Sequence, residues 1–495
     1  MGPTPTEPLP LDTPSSVAHV AGRGESGRPA GRFGSVAMVV TTLTASAVIV
    51  ITLWLGGVFN GLICGGDCGA AAIRPPDELN FVPADVGVQA SAQSAPTLNA
   101  AAIQSAVEDP LGDDERLGPR VGFAAVDPHT GDAVAVIGSG ALMPASTNKV
   151  LTAFTVLSKL TPQQRFTTSV VRTGDHLVLV GGGDPYLRSE PPEKKVYGVE
   201  ADVETLAART AAALRRAGIS RVQLDYNASR FSGPSFSPAW AASYRAEKLV
   251  TPISALWVDR GIDDGVRTAE PADDAADAFA DALEDIGVDV ADDHRAVAVP
   301  SGATRVASVH SATVARITEE MVATSDNEAA EVLLRQAALA AGRPGSFAGG
   351  VATTREVLQA NGIDITGLAL HDGSGLSRRD RIAPVTLAQT IAKAATTPRT
   401  AGLIADLPVA HFSGTLDDRF GEEDDGRGVV RAKTGTLTDV NSLAGIVTDR
   451  VGTPIAFAVM VDQAKDIPLA EAEEALDAVA AALARCSCSA RTVGP

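Results

Sequence analysis

The distribution of apolar and polar positions separates one long apolar segment near the N-terminus from a globular part that begins near Thr97. The segment covers residues 36–59, about 24 mostly apolar positions, which is long enough to cross a bilayer as a helix. Arg28 and Arg32 lie just before it, and the next basic residue after it is Arg74. The positive-inside rule therefore predicts a cytoplasmic N-terminus, with everything after residue 60 outside the membrane.

A cleaved signal peptide is the alternative explanation of this segment, because Ala70, Ala71 and Ala72 offer small residues for a cleavage site. The protein would then be secreted. The apolar run is longer than the roughly 7–15 residues of a signal peptide, so we favour an uncleaved anchor. Residues 1–30 and 66–97 are rich in small residues and Pro without a sustained period, which predicts flexible segments.

The globular part alternates between strand-like and helix-like patterns. Residues 121–126 and 133–137 are apolar runs separated by the turn sequence DPHTGD, which predicts a hairpin. Both patterns alternate between residues 165 and 305, which favours an inserted α/β domain. The helices predicted from apolar spacing cover residues 98–107, 146–160, 203–217, 275–286, 312–323, 326–341, 384–395 and 468–485. The further predicted strands cover residues 176–180, 222–226, 429–434, 442–447 and 455–461.

Composition narrows the functional classes. The 495 residues allow two or three domains, and 45% hydrophobic and 20% charged residues are typical of chains with a packed core. A net charge of −19 and a pI near 4.8 would repel a phosphate backbone, so we expect no nucleic-acid partner. The histidines and cysteines form no HExxH or CxxC motif, and we therefore predict no catalytic metal and no cofactor.

The four cysteines occur as one early and one late pair, Cys64 with Cys68 and Cys486 with Cys488. In an oxidising compartment this arrangement suggests cross-links between the two ends of the chain. Four cysteines allow three connectivities, and the sequence does not choose between them. Spare thiols in two flexible ends are the alternative.

The first motif with candidate chemistry is Ser146-Thr147-Asn148-Lys149, at the start of a predicted helix. Side chains three residues apart share a helix face, so the Ser146 hydroxyl and the Lys149 amine can touch. A serine needs an adjacent base to act as a nucleophile, and a lysine can serve if its neutral form is favoured. The motif alone is also compatible with an exposed Ser and Lys on a helix turn.

The second motif is Ser325-Asp326-Asn327. A hydroxyl there could relay a proton to a leaving amine, and the amide can both donate and accept hydrogen bonds. The same residues before Glu328 and an apolar run are equally typical of an ordinary helix N-terminus.

The third motif is Lys433-Thr434-Gly435-Thr436, on a predicted strand. The ammonium can hold a substrate carboxylate, the hydroxyls can orient it, and the glycine lets the substrate backbone approach closely. Only eight lysines occur in the chain, so a Lys-Thr-Gly sequence arises rarely by chance. This motif is therefore the most informative of the three.

Together and in this order, the motifs are the signature of class A β-lactamases and penicillin-binding proteins. Over roughly residues 98–485 the chain resembles the class C, low-molecular-mass penicillin-binding proteins. These are the D-alanyl-D-alanine carboxypeptidase and endopeptidase family of serine peptidases, peptidase family S13. The segments that carry the resemblance are LVGGGDPYL at 179–187, HDGSGLSRRDRI at 371–382, LPVAHFSGTLDDR at 407–419 and VVRAKTGTLTDVNSLAGIV at 429–447.

The resemblance implies an α+β, β-lactamase/transpeptidase-like fold, in which helices flank an antiparallel sheet and the site lies between the sheet edge and a helical subdomain. The catalytic residues that it implies are Ser146 as the acylated nucleophile, Lys149 as its base, and Ser325 and Asn327 as the second element. The substrate-binding residues that it implies are Lys433, Thr434, Gly435 and Thr436. Backbone N–H groups of Ser146 and Thr436 would form the oxyanion hole.

The predicted organisation combines this fold with the apolar segment. The family inserts extra domain material between the first and second motifs, and the insertion here is shorter than in its largest members. The predicted parts are a cytoplasmic disordered tail (1–33), a transmembrane signal anchor (34–59), a flexible linker (60–97), a discontinuous penicillin-binding transpeptidase-like domain (98–164 and 306–485), an inserted domain (165–305) and a C-terminal tail (486–495).

We therefore predict a membrane-anchored serine D-Ala-D-Ala carboxypeptidase that trims peptidoglycan stem peptides outside the cell, with additional DD-endopeptidase activity left open. Its expected partners are stem peptides ending in D-Ala-D-Ala, β-lactam antibiotics, and the membrane through the N-terminal helix. A β-lactamase is one alternative, although no ExxLN segment lies between Ser146 and Ser325 to supply a deacylating glutamate. A non-catalytic peptidoglycan-binding scaffold is the other, and the presence of all motif side chains argues against it.

Several other residues have structural interpretations at this point. Asp372 and Ser374 are explained by turn formation and packing near the site, and Trp240 and Tyr244 by the core of the inserted domain. The sequence GGGDP at 181–185 lacks the spacing of a phosphate-binding loop and favours a turn.

Overall fold

The computed structural model describes residues 97–489, apart from residues 139, 193, 195, 292, 422 and 423. The predicted tail, the predicted anchor and nearly all of the predicted linker, residues 1–96, lie outside the described residues. Within the described part, none of the helices combines the length and the apolar content that a membrane crossing requires.

Helices and strands are numbered here in chain order. The helices are α1 (Ala100–Leu111), α2 (Asp114–Leu117), α3 (Asn148–Lys159), α4 (Val203–Arg216), α5 (Ala242–Ala246), α6 (Pro271–Glu284), α7 (Val314–Ala323), α8 (Asn327–Ala340), α9 (Phe347–Ala360), α10 (Pro384–Thr396), α11 (Gly402–Asp406) and α12 (Leu469–Arg485). The strands are β1 (Val121–Val126), β2 (Ala133–Gly138), β3 (Thr167–Thr173), β4 (His176–Val180), β5 (Arg221–Asn227), β6 (Ile262–Asp263), β7 (Val266–Arg267), β8 (Asp289–Val290), β9 (Thr304–His310), β10 (Arg431–Leu437), β11 (Val440–Thr448) and β12 (Pro454–Asp462).

The first sheet is antiparallel, with its strands in the order β10-β11-β12-β1-β2. Alternate residues of the central strand β12 enter two different cores. Phe457 and Val459 pack with residues of α1 and α12, whereas Ala458 and Met460 pack with residues of α3 and α10. Side chains of a strand alternate between faces, so a strand covered by helices on both sides is apolar throughout. Strand β10 lies at the end of this sheet and carries the third motif.

The second sheet takes its strands from residues 167–310, in the order β8-β5-β4-β3-β9. Strand β5 is parallel to β4 and β8, whereas β3 is antiparallel to β4 and β9. The chain enters and leaves this sheet at one place. There the Phe166 N–H donates to Ser311 Oγ, and the Ser311 N–H donates to the Phe166 carbonyl, both at 2.9 Å. Mixed strand directions suit the alternating pattern of this segment, and the boundaries at residues 165 and 305 stay a prediction.

Two of the predicted strands, β1 and β4, have the predicted bounds, and most other predicted elements differ by a few residues at their ends. Among the elements of seven or more residues, three were not predicted: β3, β9 and α9. Strands β3 and β9 contain many polar residues, which hid the apolar alternation. Helix α9 contains Gly349 and Gly350, which disfavour a helix. A Cβ at Gly350 would lie 2.5 Å from Leu334 Cγ, so the glycine allows close packing of α9 on α8.

The predicted cross-link between the two ends of the chain is wrong for the late cysteines. Cys486 and Cys488 form a disulfide with each other, just after α12. Their Cα atoms lie 5.1 Å apart, a normal separation for a disulfide, so two residues of extended chain suffice to bring the sulfurs together. Neither sulfur is then left for Cys64 or Cys68.

Candidate active site

The first motif begins with a tight turn rather than with the predicted α-helix. Ala145–Thr147 form a 3₁₀ turn, and α3 starts at Asn148. Ala145 has φ 47°, in the left-handed region that a non-glycine residue rarely adopts. Such backbone strain is found at functional sites, where the surroundings hold it in place. Here the Thr147 hydroxyl and the Ser442 hydroxyl both donate to the Pro144 carbonyl, at 2.7 and 2.6 Å, and fix the turn that presents Ser146.

Lys149 is the centre of the hydrogen-bond network on the helix side. Its Nζ lies 2.8 Å from Ser146 Oγ, 2.7 Å from Asn327 Oδ1 and 2.8 Å from the Ser374 carbonyl oxygen. The side chain is fully buried. Burial lowers the pKa of Lys149 to about 8, although four carboxylates led by that of Asp372 act in the opposite direction. The structure therefore joins the first and second motifs through one lysine whose neutral form is accessible near neutral pH.

The Ser374 carbonyl is a contact that the sequence interpretation missed. Turn formation and packing do explain the HDGSG segment, but the turn also aims this carbonyl at Lys149. Glu331 of α8 holds the turn, because its Oε1 accepts from the N–H groups of Gly373 and Ser374 at 2.9 and 2.8 Å. Burial raises the pKa of Glu331 to about 7.

Asp372 ties the same turn to the inserted segment. Its carboxylate accepts from the N–H groups of Gly375 and Ser377, both at 2.7 Å, and from Trp240 Nε1 at 2.7 Å. Trp240 packs with Val332 and Phe347 as well as with residues of the inserted segment, so it is a core residue shared with the helices. Trp240 therefore supports the active-site turn, which the sequence alone did not indicate.

The second motif combines both of its sequence interpretations. Asp326 is the N-cap of α8, since its Oδ1 accepts from the Ala329 N–H at 2.9 Å. Its Oδ2 binds Arg260 of the inserted segment at 2.8 Å. Ser325 has φ 61°, a second left-handed residue in the site, and Asn327 reaches Lys149. The ordinary helix start thus positions the two polar side chains on either side of the cap.

The third motif lies on the edge strand β10, opposite the 3₁₀ turn. Lys433 is fully buried, and its Nζ donates to the Thr434 carbonyl at 3.0 Å. Burial, with the nearby Lys149 cation, places the pKa of Lys433 well below its usual range. The Thr434 hydroxyl donates to Thr415 Oγ1 at 2.8 Å, and Thr436 is exposed. This side of the site therefore brings a buried amine and two threonine hydroxyls together on one strand.

Gly435 has a structural role beside the one predicted for it. A Cβ there would lie 2.3 Å from Ser442 Oγ, 2.6 Å from the Pro144 carbonyl oxygen and 2.9 Å from the Thr147 N. Two of these atoms belong to the backbone of the turn that carries Ser146. The glycine therefore allows the turn that carries Ser146 to approach β10 closely, and its contact with substrate stays a prediction.

A model of the D-Ala-D-Ala carboxypeptidase 3 (S13) family matches residues 103–265 and 262–483. The chain belongs to this family. It is similar to a carboxypeptidase of Mycobacterium tuberculosis, with 36% identity over 86% of this chain and 92% of that protein. The carboxypeptidase DacB of Mycolicibacterium smegmatis is 35% identical over 91% of this chain and 98% of its own length.

Solved structures show the same fold in this family. Penicillin-binding protein 4 of Haemophilus influenzae superposes with a TM-score of 0.62 and 21% identity, over 78% of this chain and 98% of that one. A structure of that protein in complex with a β-lactam gives a TM-score of 0.56. The shared architecture is the mixed α+β fold that the family resemblance implied.

Two other features of this S13 chain keep structural roles. In the GGGDP segment, the carbonyls of Gly182 and Gly183 accept from Gln336 Nε2 at 2.8 and 3.0 Å, and Asp184 accepts from the Tyr186 N–H at 2.9 Å. These are the contacts of a turn packed against α8. His371 binds Asp380 through Nδ1 at 3.0 Å.

Proposed function

We propose that this S13 family member is a serine D-Ala-D-Ala carboxypeptidase that hydrolyses peptidoglycan stem peptides through an acyl-enzyme on Ser146. The observation that carries the proposal is the buried contact of Lys149 Nζ with Ser146 Oγ, at 2.8 Å. The names of the curated relatives and the family description support the same activity.

The three hydrogen-bond partners of Lys149 suit a neutral amine that acts as a base. Asn327 Oδ1 and the Ser374 carbonyl can only accept, so they take two N–H groups of the amine. The nitrogen lone pair then faces Ser146, whose hydroxyl becomes the donor. With a pKa of about 8, roughly one Lys149 in ten is neutral at pH 7. Lys149 takes the hydroxyl proton as Ser146 Oγ attacks the carbonyl of the penultimate D-Ala.

The edge of β10 that faces away from β11 suits an oxyanion hole near Thr436. The Ala432 N–H points away from β11, because it donates to the Pro408 carbonyl at 3.0 Å. Alternate residues of a strand share this direction, so the Thr436 N–H points to the same edge. Contact between Gly435 and Thr147 places this edge beside the turn that carries Ser146. The N–H groups of Thr436 and Ser146 would stabilise the negative charge on the tetrahedral intermediate.

The strand side then recognises the terminal carboxylate of the substrate. We assign Lys433 to that carboxylate, with the hydroxyls of Thr434 and Thr436 orienting it. Ser325 would relay the proton from Lys149 to the leaving D-Ala amine, after which water hydrolyses the acyl-enzyme. β-Lactams would acylate Ser146 in the same way, as the β-lactam complex of the Haemophilus protein suggests.

We also propose that residues 34–59 anchor the protein in the membrane, with residues 1–33 in the cytoplasm, residues 60–97 as a linker and the catalytic part outside. The uncharged run and the arginines before it support this topology. Proteolysis of intact spheroplasts tests it. Loss of the globular part with protection of the N-terminal tail is expected, and release of a shortened soluble protein would instead support signal-peptide cleavage.

The activity is tested by incubating the full chain with penicillin, followed by intact-protein mass spectrometry and peptide mapping, beside an assay of D-Ala release from a pentapeptide ending in D-Ala-D-Ala. A stable single adduct on Ser146 together with D-Ala release is expected. Ser146→Ala that still released D-Ala at the normal rate would overturn the proposal. Rapid turnover of nitrocefin would identify a β-lactamase, and peptide binding without labelling or turnover would identify a scaffold.

A further inference from the structure

A group of one histidine and two aspartates lies beside the second sheet, outside the three motifs. Asp273 and Asp277 are four residues apart in α6 and share one face of that helix. His294 lies in the segment after β8. One potential ligand atom of each residue lies within 4.8 Å of the others.

The distances from His294 to the two carboxylates match those between the ligands of a metal ion. His294 Nε2 lies 3.3 Å from Asp273 Oδ1 and 3.5 Å from Asp277 Oδ1. Both distances exceed the roughly 2.7–2.9 Å of a charge-assisted N–H···O bond. A tetrahedral zinc ion with metal–ligand distances of about 2.0–2.2 Å separates its ligand atoms by about 3.3–3.6 Å. The imidazole therefore already lies at ligand spacing from both carboxylates.

The histidine is held in place, whereas the two carboxylates are more exposed. The His294 side chain is 10% exposed, and the Tyr226 ring packs edge-on against it with centroids 6.0 Å apart. Backbone bonds fix the adjacent Arg295, whose N–H donates to Asp225 Oδ1 at 2.9 Å. Asp273 and Asp277 have side chains that are 44% and 63% exposed, so rotation can close the remaining distance between them.

We propose that Asp273, Asp277 and His294 bind one divalent transition-metal ion of the zinc type, with water as the fourth ligand. Imidazole suits zinc better than calcium or magnesium, and two carboxylates neutralise the ion's charge. A ligand set split between a helix and a loop 17 residues later has none of the short spacings by which zinc motifs are found in sequence. The ion would link the start of α6 to the segment that follows β8, the two-residue strand at the edge of the second sheet.

The test is isothermal titration of ZnCl₂ into chelator-treated full chain, with metal-to-protein stoichiometry by native mass spectrometry. One zinc ion per chain is expected to bind at this site. Since loss of an outer partner of a metal ligand already costs about 10–100-fold in affinity, loss of a ligand in His294→Gln or Asp277→Asn should weaken this binding by at least about 100-fold. His129→Gln is the matched control, because among the described residues His129 pairs with a single carboxylate, that of Asp127 at 3.5 Å. It should bind zinc like the unchanged protein.

Thermal unfolding provides a second measurement of zinc binding. The metal-free variants should unfold at the temperature of the metal-free parent, and zinc should raise the melting temperature of the parent and of His129→Gln only. Penicillin labelling of Ser146 should be equal in all four proteins. Absence of zinc uptake, or equal uptake by the parent and His294→Gln, would overturn the proposal. The proposal would also be overturned if calcium bound as tightly as zinc and this binding survived in His294→Gln but was lost in Asp277→Asn. That result would indicate an acidic surface and no zinc site.

Discussion

Lys149 on the helix side of the site and Lys433 on the strand side are equally buried, yet their surroundings differ. Lys149 contacts acceptors from three separate segments, and four carboxylates raise its pKa against the effect of burial. Lys433 contacts its own neighbour Thr434, and the positive charge of Lys149 lowers its pKa further. Burial thus lowers the pKa of both lysines. Carboxylates oppose this effect at Lys149, whose pKa is about 8.

This difference suits the separate tasks that we propose for the two lysines. A base works best with a pKa near the ambient pH, which the carboxylates around Lys149 provide. Among the described residues, Lys433 Nζ hydrogen-bonds to Thr434 and to no carboxylate, so no anion offsets the lowering of its pKa by burial. The substrate carboxylate would then supply the missing anion and raise the pKa of Lys433.

The largest effect should come from Lys149→Arg, which removes the base and keeps the charge. A guanidinium stays protonated, so acylation by a fluorescent penicillin should slow by about 10²–10⁴-fold. The control is Lys159→Arg, at the exposed end of the same helix, where Lys159 pairs with Glu356. Acylation within about tenfold of the parent rate in Lys149→Arg would mean that the helix side does not supply the base.

Lys433→Met should affect substrates according to their charge. Loss of a hydrogen bond between charged groups lowers kcat/KM by about 10–100-fold for a peptide ending in a free carboxylate. The loss should be much smaller for the same peptide as its C-terminal amide. The exposed Lys465 provides the control, Lys465→Met. Equal decreases in kcat/KM for the acid and the amide would contradict the assignment of Lys433 to the substrate carboxylate.

The pH dependence tests the electrostatics of Lys149 directly. The acylation rate should rise with pH through a midpoint near 8, because only the neutral amine accepts the proton. Asn327→Asp places a carboxylate at the position now 2.7 Å from Nζ, which raises the pKa of Lys149 and moves the midpoint to higher pH. If the midpoint moves up by one pH unit, the neutral fraction of Lys149 and the rate at pH 7 both fall about tenfold. Asn327→Ala should lower the rate without this upward movement, and an unmoved midpoint in Asn327→Asp would contradict the assignment.

The smallest effect is expected at the contact between the two sides. Gly435→Ala forces a methyl group against backbone atoms of Pro144 and Thr147, which should cost about 1–3 kcal/mol of unfolding free energy in denaturant titrations. Acylation should also slow, since the turn that carries Ser146 is displaced. Gly402→Ala is the control, because a Cβ there has no neighbouring atom within 4 Å. Equal stability of the two variants would show that β10 and the turn are not in tight contact.

The sequence predicted elements best where local pattern and tertiary environment agree. Strand β12 is apolar along its length, and the antiparallel strands β10, β11 and β12 were all recognised close to their observed bounds. Strand β9 was missed because its first residues are exposed and polar. Helix α9 was missed because its paired glycines serve contact with α8, and a local propensity does not record a tertiary contact.

The contacts of the site also divide into those that a local pattern predicts and those that it does not. The Ser146–Lys149 contact follows from helical spacing, and the contact between Lys149 and Asn327, 178 residues away, followed only from the family resemblance. Neither route indicated the Ser374 carbonyl, because a backbone acceptor has no residue type to recognise. Glu331 and Asp372, which hold that carbonyl in place, act through backbone N–H groups and are equally invisible to a motif.

The hydrogen-bonded pair Phe166 and Ser311 has a consequence for how such chains can diverge. Since the polypeptide departs and returns at one point, residues can be gained or lost between 167 and 310 while the two halves of the catalytic part keep their spacing. Several ties limit this freedom, among them the bond from Trp240 to Asp372 and the ion pair of Arg260 with Asp326. A family member with a different insert would keep the position of Ser146 only if the new residues still held the carboxylates of Asp372 and Asp326 in place.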